Sequence, residues 1–195
     1  MENTTIPHVV LASASPRRRD LLKQIGVTFR AVVADIEEIP LPGEAPADFV
    51  LRMARGKALA VLEKEGPGLP VLGADTEVVL EGRILGKPAD RRDAAALLNR
   101  LSGHTHEVYS GVAVATGPDV VHEALSVSRV TLSRLEANWI DAYIETGDPM
   151  DKAGAYGVQG RAAEKISRLE GSFYGVMGLP LFETAQLLIR AGVLF

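Results

Sequence analysis

Apolar and polar positions change period several times along the chain, and each change marks an element. "HVVLAS" at 8–13 is a short apolar run ending in small residues, which predicts a buried strand. Ser15 and Pro16 then read as the N-cap and first position of a helix over 16–25, with Gly26 to end it. A second strand is expected at 27–34, followed by an acidic, proline-rich loop at 35–46. Pro46 opens a long helix to about Lys64, closed by "EGPG". The run at 70–80 reads as a strand, "EGR" as a tight turn and "ILGKP" as a short return strand. A helix over 90–100 precedes two long alternating stretches, "HEVYSGVAVAT" and "VVHEALSVSRVTL". The "GPD" between them predicts an antiparallel hairpin. Helix 136–146 ends at Gly147. A glycine-rich segment runs from 151 to 180 without a clear period, and a last helix follows Pro180 over 181–191. Strands alternating with helices give an α/β class, and the hairpin makes the sheet mixed.

Three charges interrupt this pattern. The first is at the start of the first helix, where Arg17, Arg18 and Arg19 stand at the positive end of the helix dipole, a place that favours anions. At about 100° per residue Arg18 falls between Leu22 and Ile25, on the apolar face. An anion resolves the conflict: free N–H groups, guanidinium forks and the hydroxyls of Ser13 and Ser15 form a phosphate cradle. The competing reading is a solvated basic turn that pairs with Asp20 and the acidic loop. The second charge is Lys57, inside the apolar arc set by Phe49, Val50, Met53, Ala54 and Val61 of the long helix. It is either a snorkelling lysine or a cation in an anion-filled cleft. The third is Asp75, in a run that otherwise suits a buried strand, after Gly73 and before Thr76. A buried carboxylate needs a partner, a metal or a proton. A structural pair with Lys87 across the turn is one reading. The other is a carboxylate that holds Mg²⁺ or activates water beside a phosphate-binding lysine, with Glu37 or Glu38 as a further ligand. His104 and His106 would share one strand face; without a third ligand they read as hydrogen-bonding groups.

Composition narrows these choices. At 195 residues the chain suits one domain or two closely joined lobes. A net charge of −4 leaves no global basic field, so nucleic acid and membrane are not expected partners. With no cysteine, disulfides, thiolate zinc sites and a cysteine nucleophile are excluded. The first residues carry neither a basic leader nor a long apolar run, and the expected location is the cytoplasm.

Three stretches, "LASASPRRRDLL", "GADTEVVLEGRILGKP" and "DKAGAYGVQG…GSFYGVMGLPL", together resemble the signatures of the Maf family of nucleoside triphosphate pyrophosphatases, in order and over nearly the whole chain. The resemblance implies one Maf-like domain over 1–195: two α/β lobes around a deep cleft, similar to the inosine triphosphate pyrophosphatases. It also implies hydrolysis of a nucleoside triphosphate to the monophosphate and pyrophosphate with Mg²⁺ or Mn²⁺, and a homodimer. It assigns Ser13, Arg17, Arg18, Lys57 and Lys87 to phosphate and Asp75 to general-base catalysis and metal, with Glu38, or failing that Glu37, as a second metal ligand. Arg17, Thr76 and Gln159 match the branch that resembles dTTP/UTP pyrophosphatases rather than the 7-methyl-GTP branch, with Gln159 able to pair with a pyrimidine edge. Those two substrates, and a nucleotide-binding role in septum formation, are the competing readings. Glu77 stands where the family usually has an apolar residue, and is expected on the exposed side of its strand, away from the site.

Overall fold

The computed structural model describes residues 7–66 and 68–195. The N-terminal stretch read against a leader lies in part outside them, as does Pro67 of the turn after the long helix. The elements are β1 (Val9–Ala12), α1 (Pro16–Gln24), β2 (Phe29–Val32), α2 (Pro46–Glu65), β3 (Val71–Leu80), β4 (Arg83–Ile84), α3 (Arg91–Leu101), β5 (Thr105–Gly117), β6 (Val120–Leu132), α4 (Ala137–Ile144), β7 (Ile166–Glu170), α5 (Phe173–Met177) and α6 (Leu181–Arg190). The strands form one mixed sheet in the order β2-β1-β3-β5-β6-β7, with β4 on β3. β1 runs parallel to β2 and β3, and the other pairings are antiparallel.

β3 organises the molecule. β5 covers one of its edges from Val71 to Val79. On the other edge β1 pairs only Val71 and Leu72, and β4 only Val79 and Leu80. The edge between them is left out of the ladder, and this opening contains Asp75. Side chains alternate across a strand, so the even residues Leu72 and Ala74 face a core with α1 and α6, through Leu21, Leu22, Leu187 and Leu188. Val71 faces α2 through Ala54, Ala58 and Val61. Beyond the opening, Val78 and Leu80 belong to a separate core with α3 and α4, through Leu97, Leu98, Trp139 and Tyr143.

Glycine brings α2 against the sheet. A Cβ on Gly73 would lie 2.1 Å from the Ala54 carbonyl oxygen, and one on Gly111 would lie 2.6 Å from that of Val50. Neither separation is possible, so β3 and β5 accept the α2 backbone only where side chains are missing.

Several expectations need correction. Ser15 is the N-cap of α1 by backbone conformation, but its hydroxyl makes no capping bond. β2 is shorter than 27–34, an edge strand paired only with β1. Glu81 and Gly82 both take positive φ, 52° and 74°, which makes the tight turn after β3. The return strand β4 stops at Ile84, so Lys87 sits in the loop beyond it. The glycine-rich segment holds β7 and α5, which were not expected, with 3-10 turns at Asp148–Asp151, Ala153–Ala155 and Arg161–Lys165. His104 precedes β5 and bonds the Ser102 carbonyl, while His106 is buried against the Tyr156 hydroxyl at 2.6 Å. Both are hydrogen-bonding groups. Among the described residues no helix is long and apolar enough to cross a membrane.

Candidate active site

A cavity of about 660 Å³ lies at the open edge of β3. That is within the usual range for a small-molecule site. One wall is the β1–α1 turn from Ala12 to Arg18, and the floor is Asp75 to Val78. Glu38, Lys57 and Lys87 close one side. Asp148, Asp151, Lys152, Tyr156, Gly157 and Gln159 form the opposite wall, and Gly178 lies at the back. Ser13, Arg17, Arg18, Glu38, Lys57, Asp75, Thr76, Lys87 and Gln159 therefore all border one space. Glu37 does not line it.

The α1 end of the cavity is built for an anion. The helix has no side-chain cap and no acidic residue in its first turn, which leaves N–H groups open at its start. Arg18 donates from Nε to the Gly178 carbonyl at 2.8 Å and from Nη1 to Ser13 Oγ at 3.3 Å. Gly178 has φ of 118°, a conformation a side chain would strain. Its backbone thus aims an oxygen at the guanidinium. Burial holds Arg18 below its ordinary pKa, against the pull of Asp75 and Glu38. Among the described residues no carboxylate is bonded to it. Ser13 Oγ also accepts from the Ser15 N–H at 3.1 Å, so its own proton is free to donate. Arg17 reaches across the cavity to Asp151 at 3.3 Å. Asp20 pairs with Lys23 instead of an arginine.

Asp75 and Lys57 are brought together by the Gly73 contact between β3 and α2. Both are buried, with 5% and 7% exposure. Lys57 Nζ donates to Asp75 Oδ1 at 2.7 Å and stands 2.9 Å from Glu38 Oε1. Lys57 therefore does not snorkel to solvent, and Asp75 takes Lys57 rather than Lys87 as its partner. Lys87 is exposed and lines the cavity. Burial pushes the Glu38 carboxyl up, but the hydrogen bond and charge of Lys57 outweigh it and leave the group below its usual value. Asp75 Oδ2 is buried with no hydrogen-bond partner. Thr76 faces the other way and shares a 3.1 Å hydrogen bond with Ser110 Oγ.

Glu77 is not on an exposed side. It is half-buried and lines the cavity, because the two-residue period of a strand puts it on the face of Asp75. Its Oε2 is also buried without a partner. Burial, then the charge of Asp75, pushes its carboxyl up to about 8 against the pull of Lys87 and Lys57. Among the described residues no group of three or more metal-ligating side chains clusters as a ready metal site. Mg²⁺ commonly takes one or two carboxylates and fills its shell with water and phosphate, and the orphaned oxygens of Asp75 and Glu77 fit that demand.

Of the opposite wall, Gln159 was anticipated from sequence, but the Asp148–Asp151–Lys152 cluster was not. Lys152 Nζ bonds the Asp148 carbonyl, Asp148 Oδ1 at 2.8 Å and Asp151 Oδ1 at 2.7 Å. The Tyr143 hydroxyl donates to Asp148 Oδ2 at 2.7 Å. The signal available was the "DPMDK" spacing, which sets two acids four and one residues before a lysine.

The family model described as Maf-like protein matches residues 8–191. A dTTP/UTP pyrophosphatase of Cupriavidus metallidurans is 51% identical over 195 residues, covering 95% of this chain and 97% of the relative. Proteins of the same name from Bordetella avium and Symbiobacterium thermophilum are 50% and 49% identical. They cover 96% and 94% of this chain and the same shares of their own lengths. Among solved structures, a HAM1 protein from Coxiella burnetii aligns with a TM-score of 0.48 at 18% identity, over 96% of this chain and 98% of that one.

Proposed function

The chain belongs to the Maf family, and on that premise we propose that it hydrolyses dTTP and UTP to the monophosphate and pyrophosphate. The observation that carries the reading is the composition of the cavity: arginine and lysine side chains gather around Asp75, a buried and incompletely bonded carboxylate, with Glu77 beside it. Relatives of about half identity that bear the name dTTP/UTP pyrophosphatase support the substrate.

In this reading Arg17, Arg18, Ser13 and the start of α1 grip the triphosphate, with Lys57 and Lys87 on its other flank. Phosphate would draw Arg17 away from Asp151. Asp75 uses its unbonded Oδ2 to orient a water in line with the α-phosphorus, while Lys57 holds Oδ1 and fixes the plane of the carboxylate. Positioning and charge stabilisation are the main contributions in phosphoryl chemistry of this kind. A divalent cation, Mg²⁺ or Mn²⁺, would be held by Asp75 and a glutamate, for which the sequence motif favours Glu38; when bound it neutralises charge on the leaving pyrophosphate. Gln159, on the wall facing the cradle, offers an amide donor and acceptor to a pyrimidine edge. Thr76 contributes a hydroxyl beside Arg18. A cytoplasmic homodimer completes the proposal, testable by cell fractionation and analytical ultracentrifugation.

The test is pyrophosphate release from dTTP, UTP, CTP, GTP and 7-methyl-GTP by the purified protein with Mg²⁺ or Mn²⁺. Release from dTTP and UTP well above the others is the expected result. Preference for 7-methyl-GTP moves the chain to the other branch. Binding without release from any of the five makes it a nucleotide sensor.

A further inference from the structure

The two carboxylate oxygens without partners on the cavity floor belong to Asp75 and Glu77. The oxygens of Asp75 and Glu38 that face each other are both taken by Lys57, at 2.7 Å and 2.9 Å. A cation placed between those two oxygens would compete with that ammonium, which is buried and held on α2 by the close helix–strand contact at Gly73. A cation shared by Asp75 and Glu77 meets one oxygen on each that has no hydrogen bond to give up. We infer that Glu77 is the second carboxylate for the divalent cation in this protein, and that Glu38 acts instead on Lys57, holding its ammonium in place.

Geometry and charge support this together. Residues two apart on a strand point to one face, with their Cα atoms roughly 6.5 Å apart, so a cation can be approached by both side chains from one side. Asp75 is 5% exposed and lines the cavity, and its Oδ2 is buried without a hydrogen-bond partner. A second acid on the same face adds repulsion in a poorly solvated place, which is costly unless a positive charge offsets it. Lys57 is already committed to two acids, and Lys87 is exposed. A hydrated Mg²⁺ or Mn²⁺ with one or two carboxylates and nucleotide phosphates supplies the missing charge. Where a family member carries an apolar residue at this position, that second carboxylate is lost, so this chain should bind the free cation more tightly than such a relative.

The inference rests on the proposed metal-dependent reaction, but its test does not require turnover. Mn²⁺ is titrated into nucleotide-free protein and the unbound ion is read by electron paramagnetic resonance, for wild type, Glu77→Gln, Glu77→Val and Glu38→Gln. Thermal unfolding without metal is followed in parallel. Glu77→Gln and Glu77→Val should weaken Mn²⁺ by on the order of tenfold or more, while Glu38→Gln changes it by less than about threefold. Both Glu77 variants should be at least as heat-stable as wild type without metal, because a poorly solvated acid beside Asp75 is gone, and both should lose most of the stabilisation that Mn²⁺ gives wild type. Three results overturn the inference: Mn²⁺ affinity unchanged in both Glu77 variants, a larger loss in Glu38→Gln than in Glu77→Gln, or no Mn²⁺ bound by wild type at millimolar concentration. Failure of the nucleotide panel with Glu77-dependent Mn²⁺ binding intact would sink the substrate and leave the metal assignment standing.

Discussion

The cavity has a lysine with two acids on each of its two sides, and the two clusters are mounted differently. Lys57 comes from the middle of a helix and Asp75 from the middle of a strand, locked together where Gly73 lets the backbones touch. Lys152, Asp148 and Asp151 come from short 3-10 turns. Asp75 is 7% exposed at its side chain, whereas Asp148 and Asp151 are 37% and 65% exposed. Asp75 keeps one buried oxygen unbonded; Asp148 spends one oxygen on Lys152 and the other on Tyr143. Similar residues thus give a buried acid with spare bonding capacity on one side, and hydrogen-bonded, more exposed acids on irregular backbone on the other. The first suits chemistry, which needs a fixed geometry.

Substitutions can break that contrast. Asp75→Asn should lower kcat for dTTP by more than about 10³, beyond the usual loss of one preorganised donor. Its melting temperature should stay close to wild type, since Lys57 retains Glu38. A near-normal rate in the purified variant would remove Asp75 from the chemistry. Lys57→Met leaves a buried carboxylate unpaired and should destabilise the fold by about 3–5 kcal/mol in urea titrations near neutral pH. Lys152→Met should cost about 1 kcal/mol or less, because its acids reach water. Equal losses would erase the distinction between the two mounts.

The second wall is braced from behind by His106 on Tyr156. Burial pulls the His106 imidazole down from 6.5 to about 4. The unfolded chain therefore takes up this proton as pH falls through 6.5, and the folded chain does so only near 4. The stability that neutral His106 contributes is complete above 6.5 and is lost as pH falls toward 4. Relative to His106→Gln, wild type should lose roughly 2 kcal/mol between about pH 7 and pH 5, measured by paired urea titrations. A pH-independent gap would contradict the buried neutral imidazole. Gln159→Glu should reduce kcat/KM for dTTP and UTP on the order of tenfold through KM, with kcat little changed. A loss confined to kcat would place Gln159 at the reacting end.

The same contrast governs what could be read from the chain. A charge inside a regular apolar pattern is visible as an anomaly, which is how Arg18, Lys57 and Asp75 stand out on α1, α2 and β3. Which partner each charge takes is not local. Asp75 meets Lys57 because α2 docks at Gly73, and a turn-based guess pointed to Lys87. Glu77 was legible in principle, since it shares parity with Asp75. The expectation that it faced outward overlooked that both faces of β3 end in cores and its free edge opens on the cavity. The wall at Asp148–Gln159 offered no period to follow, because 3-10 turns and positive-φ glycines have none. α5, at five residues, is too short to repeat, and β7 is an edge strand with only partial burial.

The position of the broken bond tests the central claim most directly. If Asp75 delivers water to the α-phosphorus, hydrolysis of dTTP in ¹⁸O-labelled water must put the label in dTMP and leave pyrophosphate unlabelled. Label in pyrophosphate, or release of inorganic phosphate as the first product, would mean that the cradle and Asp75 address a different phosphorus.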